Sequence, residues 1–145
     1  MKKMLFVIFL FVFCLGFYYL YPERRFPENA NITRIDVHKS SKEMLIYDGN
    51  KLVKKYKVSV GRGMGKESTP EGSFAVKSKN STSGFHKALV LLGLMEIHGI
   101  RNGLGFIGKF HRFFNWTKGC IAVTDLEIDE LFDKVKIGTP VYIYK

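Results

Sequence analysis

A histidine and a solitary cysteine, His98 and Cys120, are the residues whose types and surroundings suit chemistry. His98-Gly99 closes the stretch Met95-Glu96-Ile97, and Cys120 stands between Gly119 and the apolar pair Ile121-Ala122. Acyl transfer needs a nucleophile and a base, and a thiol and an imidazole supply both. A thiol with a pKa of about 8.5 is mostly protonated at neutral pH and becomes reactive when a nearby imidazole takes its proton. Gly119 has no Cβ, so backbone N–H donors there would approach a developing oxyanion. The capping-box pattern Thr124-Asp125-Leu126-Glu127 follows soon after, which would set Cys120 just ahead of a positive helix end.

Strands must carry these two residues. Ile35 and Val37 alternate with polar neighbours, and Met44 to Tyr47 runs into Asp48-Gly49-Asn50, a hairpin signal. Leu52, Tyr56, Val58 and Val60 continue beyond it, with Lys51, Lys54, Lys55 and Lys57 turned outward. Residues 61–72 are glycine-rich and predict a loop; Gly72 to Lys79 predicts a strand with Phe74 and Val76 on one face. Ala88 to Met95 reads as a buried strand closed by Glu96-Ile97-His98. Residues 99–116, rich in glycine and aromatics, suit a packed functional loop. A short amphipathic helix through Ile128, Leu131, Phe132 and Val135 and a last strand over Thr139 to Tyr144 complete a mostly β domain.

The N-terminus sets the compartment. Lys2-Lys3 precedes an apolar run from Met4 to Tyr21, which at 1.5 Å per residue spans roughly 27 Å, enough to cross a bilayer. No small-residue cleavage pattern follows it, so an uncleaved signal anchor is expected over residues 1–22, with residues 23–32 as a polar tether. Arg24 and Arg25 on the far flank work against the positive-inside rule. A cleaved signal peptide is the alternative and leaves the domain on the same side. Cys14 lies inside the apolar run, so Cys120 is an unpaired thiol in an oxidising compartment, which marks it as reactive. The net charge of +10 favours an anionic neighbour, but no basic helix or stacking motif supports nucleic acid. No carboxylate or further cysteine completes a metal-ligand spacing with His98, His111 and Cys120, so neither metal nor cofactor is expected.

Ile97-His98-Gly99 and Thr117-Lys118-Gly119-Cys120-Ile121, with the weaker Thr69-Pro70-Glu71-Gly72 and the opening hairpin to Gly61, resemble the L,D-transpeptidase catalytic domain (YkuD-like) family over residues 33–145. The resemblance implies a β-sandwich with one short helix after the cysteine, and an enzyme acting on peptidoglycan stem peptides. It implies Cys120 as nucleophile, His98 as base and Gly119 in the oxyanion hole. It also implies attack before the terminal D-alanine and transfer to an amine, with a wall-linked protein as a further acceptor or substrate. Gly99, Arg101, His111, Arg112, Trp116, Thr117 and Lys118 flank the pair and are the candidate substrate contacts. The expected location is the cytoplasmic membrane, single-pass through residues 4–21, with the domain facing the periplasm and wall. A hydrolase of the same family and a catalytically weak wall-binding module are the alternatives.

Two departures from the family pattern bear on substrate binding. Ala122 stands where many members carry arginine, so Arg112, Arg101 or Lys118 is expected to supply that charge. The segment between Phe85-His86 and His98 is shorter by about twenty residues, which predicts a more open cleft or a weakened enzyme.

Overall fold

The computed structural model describes residues 2–145 apart from Arg24 and Met64, with Leu92 described by its backbone alone. Arg24, counted above in the charge beside the apolar run, lies outside the described residues. Nine strands among them divide between two sheets. The first holds β1 (Arg34–His38), β2 (Glu43–Asp48), β3 (Lys51–Lys57), β4 (Gly72–Ala75) and β9 (Pro140–Tyr144), in the order β3-β2-β1-β9-β4. The second holds β5 (Ser78–Asn80), β6 (Ala88–Leu92), β7 (Met95–His98) and β8 (Ile121–Ala122), in the order β5-β6-β7-β8. β1 runs parallel to β9 and β7 to β8; the other pairs are antiparallel. With the N-terminal helix α1 (Lys2–Leu20) and the short helix α2 (Asp125–Lys134) after Cys120, both at the expected places, the fold is mixed α/β with two sheets, a coarser class than the expected mostly β sandwich.

Period-two alternation builds the core. In the first sheet, Ile35 faces Ile46 and Val141 across its two neighbours, and Val37 faces Met44 and Ile143. All six are buried. In the second sheet Leu89, Ile97 and Ile121 form one register row, again buried in the same cluster. Each such side chain removed from water contributes about 1.5–3 kcal/mol. α2 adds Ile128, Leu131 and Val135 to the cluster, spaced to present one stripe. It starts where the capping box predicts: Thr124 accepts from the Glu127 amide, and the Glu127 carboxylate accepts from the Thr124 backbone N–H.

Several expectations change in three dimensions. The register slips between Ile46 and Tyr47, so Val53 is the extra residue of a β-bulge. That slip leaves Leu52 exposed and swings Lys54 inward, where its amine pairs with Glu130 at 2.6 Å. The single strand expected over Gly72 to Lys79 is two, because the chain leaves the first sheet after Ala75 and enters the second at Ser78. The long strand expected up to His98 is a tight hairpin turning at Gly93-Leu94. The segment expected as a polar tether touches the domain at several points. Phe26 and Ile32 are buried in the core cluster, the Phe26 N–H donates to Glu130, and Glu23 pairs with Arg112.

The doubly bonded cap at Thr124 generates a stability test. Thr124→Ala is expected to lower the unfolding free energy by about 1 kcal/mol, read as a reduced urea midpoint with an unchanged slope.

Candidate active site

The row that alternates with Leu89–Ile97–Ile121 faces away from the core. It reads Ala88, His98, Ala122 in register, with Ser59 bridged to Ala122 on the far side. Two alanines thus flank the histidine in register, and aromatic rings cover it. Phe85 stacks on the imidazole at 3.7 Å between ring centroids, and the Trp116 ring meets it edge-on at 5.7 Å. His98 Nδ1 lies 2.6 Å from the Gly99 carbonyl oxygen. A carbonyl can only accept, so the proton sits on Nδ1 and Nε2 is left as the basic nitrogen. Burial pushes the imidazole down to about 4, so it is neutral at physiological pH. Gly99 is required by packing: a Cβ there would lie 2.8 Å from both Asp125 Oδ1 and Ile128 Cγ2 of α2. Asp125 in turn accepts the Ile100 N–H at 2.8 Å, which docks the start of α2 under the histidine loop.

Cys120 immediately precedes β8. Extending the alternation by one step puts it on the face of Ala122, diagonal to His98 across the parallel β7–β8 pair. The thiol is turned toward the β6–β7 turn: Sγ donates to the Leu94 carbonyl at 3.3 Å and receives the Glu96 N–H. Burial and the Glu96 carboxylate raise the thiol above its ordinary value, and the Glu96 N–H only partly offsets them. An imidazole at about 4 and a thiol above its usual range do not exchange a proton at rest. The resting pair is therefore neutral thiol and neutral imidazole, not the ion pair that activated cysteines use. The first turn of α2, four residues on, is capped by its own Thr124 and Glu127.

The loop that presents the thiol is held through a carbonyl. The Cys120 carbonyl oxygen accepts two hydroxyls, from Thr117 at 2.6 Å and Thr69 at 3.2 Å. Thr69 Oγ1 also accepts the Gly61 N–H at 2.8 Å. A Cβ at Gly61 would strike the backbone of Glu67 to Thr69, so only glycine lets the loop fold back far enough for Thr69 to reach Cys120. Gly119 adopts φ 98°, the left-handed region that favours glycine. Gly61 and the Thr69-Pro70-Glu71-Gly72 turn, weak signals in sequence, thus become supports of the cysteine loop. The contact of Phe85 with His98 has no comparable sequence signal.

The remaining predicted residues divide. Thr117 is buried and committed to the Cys120 carbonyl. His111 is buried on the other side of Trp116, at 6.4 Å between ring centroids, and burial lowers it to about 3. Its Nδ1 lies 3.2 Å from the Ser59 hydroxyl, while its Nε2 and the Trp116 Nε1 are buried without partners among the described residues. Arg112 was expected as a replacement charge, but its guanidinium is held by Glu23 at 2.8 Å and Glu127 at 2.6 Å. Burial raises the Glu127 carboxyl and the guanidinium opposes that rise, so Arg112 is a structural partner of α2. Lys118 is exposed beside the Arg62–Glu67 pair. Arg101 is exposed and makes no ion pair among the described residues, and its backbone bridges to Phe85, the residue stacked on His98. No cluster of His, Cys, Asp and Glu able to hold a metal ion occurs among the described residues.

A two-sheet fold with a cysteine and a histidine on one strand face defines a class, and the comparisons with known proteins name it. The L,D-transpeptidase catalytic domain (YkuD) family matches residues 32–143, and this chain belongs to that family. Its members are cysteine L,D-transpeptidases that act on peptidoglycan. Among solved structures, the L,D-transpeptidase from Xylanimonas cellulosilytica superposes with a TM-score of 0.63 at 19% identity, over 84% of this chain and 65% of that one. A cysteine-to-serine variant of the Enterococcus faecium L,D-transpeptidase gives 0.61 at 20% identity, over 79% and 50%. An L,D-transpeptidase from Mycobacterium tuberculosis gives 0.64 at 19%, over 77% and 57%. The likeness to these structures is one of fold, and the chain spans about half to two thirds of their lengths. No curated protein matches the chain in sequence.

The neutral resting pair sets a pH profile. Alkylation of Cys120 by iodoacetamide follows the thiolate fraction, which grows with pH through the raised thiol pKa. The expected rate is low between pH 5 and 8 and still climbing at pH 9, above the ordinary thiol value of about 8.5. A plateau across the neutral range would mean an ion pair and would contradict this electrostatic account.

Proposed function

We propose that this chain is an L,D-transpeptidase anchored by α1 in the cytoplasmic membrane, with residues 33–145 as the catalytic domain facing the wall. Cys120 Sγ attacks the stem-peptide carbonyl before the terminal D-alanine, and His98 Nε2 takes the thiol proton. The C–N bond breaks, a thioester forms, and D-alanine leaves as an amine with the proton returned from His98. An amine of a second stem then attacks the thioester, giving the cross-link and freeing the thiol. The N–H groups at Gly119 and Cys120 are the donors to the oxyanion in both tetrahedral intermediates.

The observation that carries this reading is the shared face of β7 and β8, with the Nδ1 proton fixed by Gly99 so that Nε2 is free to act as base. The thiol has one adjustment to make. Rotation about its Cα–Cβ bond exchanges the Leu94 carbonyl for another staggered position. Substrate entering beside the Gly93-Leu94 turn would compete for that carbonyl. Family membership and the 19-residue apolar helix α1, long enough to cross a membrane and with none of its span buried, support the location.

Two experiments test the reading. A carbapenem is expected to add its mass to the full-length protein and not to Cys120→Ser; no adduct on the wild type would leave the fold without this chemistry. Tetrapeptide muropeptides are expected to give cross-linked dimers. Tripeptides alone would assign water as the acceptor, and unchanged substrate would favour a wall-binding module. Arg101 is assigned to the substrate carboxylate, so Arg101→Ala is expected to raise KM by about tenfold, the loss of one charge-assisted contact of roughly 1.4 kcal/mol. An unchanged KM would remove Arg101 from the site.

A further inference from the structure

The segment between the histidine and cysteine motifs contains two 3-10 turns over Gly105–Phe113 that meet at Gly108. This loop packs on the last turn of α1. Tyr19 donates its hydroxyl to the Phe106 carbonyl at 2.8 Å, and its ring stacks on Phe110 at 5.3 Å. Tyr18 lies against Phe110 and Phe113, at 6.4 and 5.9 Å between centroids. The approach is close enough that a Cβ at Gly108 would lie 2.7 Å from the Tyr19 ring. Lys109 donates to the carbonyls of Tyr18 and Tyr21, and Glu23 joins both Lys109 and Arg112. With Phe26 buried in the core, the chain between α1 and the domain is pinned at both ends.

Against that rigid joint, the outer side of the loop is apolar. Phe106 is 73% exposed and Phe114 74%, and Phe113 and Leu104 are exposed beside them. Tyr18, Tyr19 and Tyr21 form the aromatic cluster typical of a span leaving the hydrocarbon core, so side chains packed on them lie at the depth of the headgroups. Four exposed apolar side chains, in a loop bonded to the last turn of α1, are too few for a stable protein interface of about 1,200–2,000 Å².

We propose that the loop Leu104–Phe114 is a second membrane contact, with Phe106 and Phe114 entering the interfacial layer of the leaflet from which α1 emerges. The occupant of the patch is the lipid bilayer. This rests on α1 being a retained anchor. The domain then lies on the membrane surface in one orientation, instead of swinging on a linker. Since this stretch links Gly99 to Trp116, the docking sets the segments that carry the histidine and cysteine motifs close to the bilayer and to the wall material nearest the membrane.

Spin labels test this on the full chain in phosphatidylethanolamine–phosphatidylglycerol vesicles. Cys14→Ser and Cys120→Ser remove the native thiols, and single labels go to Phe106→Cys, Phe114→Cys and Ile8→Cys; all three side chains are exposed, so the core is undisturbed. Labels at 106 and 114 are expected to collide more often with oxygen than with a water-soluble nickel chelate, as the label at 8 does. A label at 8 in lipid with 106 and 114 open to the chelate would overturn the docking and leave the anchor standing. A label at 8 open to the chelate would overturn the anchor and the docking together. Dipolar broadening between copies at 106 or 114, with both collisions suppressed, would overturn it in favour of a second protein molecule.

Discussion

One carbonyl oxygen, that of Cys120, receives the hydroxyls of Thr117 and Thr69, and the placement of the thiol depends on that junction. Thr117 belongs to the loop itself. Thr69 arrives from a turn far away in sequence, brought in by a chain that can fold back only because Gly61 has no side chain. Two hydroxyl donors on a single carbonyl fix the peptide after Cys120 and leave the left-handed Gly119 before it.

Around this junction the second sheet separates two tasks by parity. Leu89, Ile97 and Ile121 go to the core, while Ala88, His98 and Ala122 go to the other face. A one-residue slip would exchange the two sets, so burial of the first row guards the position of the second. The same logic explains the neutral resting state. His98 is covered by Phe85 and Trp116, and a cation in such surroundings is costly. The thiol, with the Leu94 carbonyl and the Glu96 carboxylate near it, is equally reluctant to become an anion. Burial thus opposes the charged form of both groups in the resting structure.

The fate of the charged residues follows from who is nearby. Arg112 looked available because it sits in the flanking loop, yet Glu127 turns inward from α2 and needs a cation. A buried carboxylate without a partner costs far more than a surface arginine gains by staying free. Lys54 makes the same trade with Glu130 once the bulge turns it inward. Among the described residues no carboxylate makes such a claim on Arg101, and Ala122, beside His98 in register, brings no positive charge to that face.

Much of this was legible along the chain. Apolar alternation marks β1, β2 and the core row of β7; Asp48-Gly49-Asn50 marks the first hairpin; Thr124 to Glu127 marks the start of α2; and the two short motifs mark His98 and Cys120. These are local signals, set by side-chain period, turn geometry and capping within a few residues. What only the tertiary structure decided is which distant groups meet. The bulge that exposes Leu52, the turn at Gly93-Leu94 that offers its carbonyl to the thiol, the stacking of Phe85 on His98 and the convergence of Thr69 on Cys120 are examples. Each depends on contacts between segments far apart in sequence, where the energy comes from burial and pairing and no local pattern records the partner.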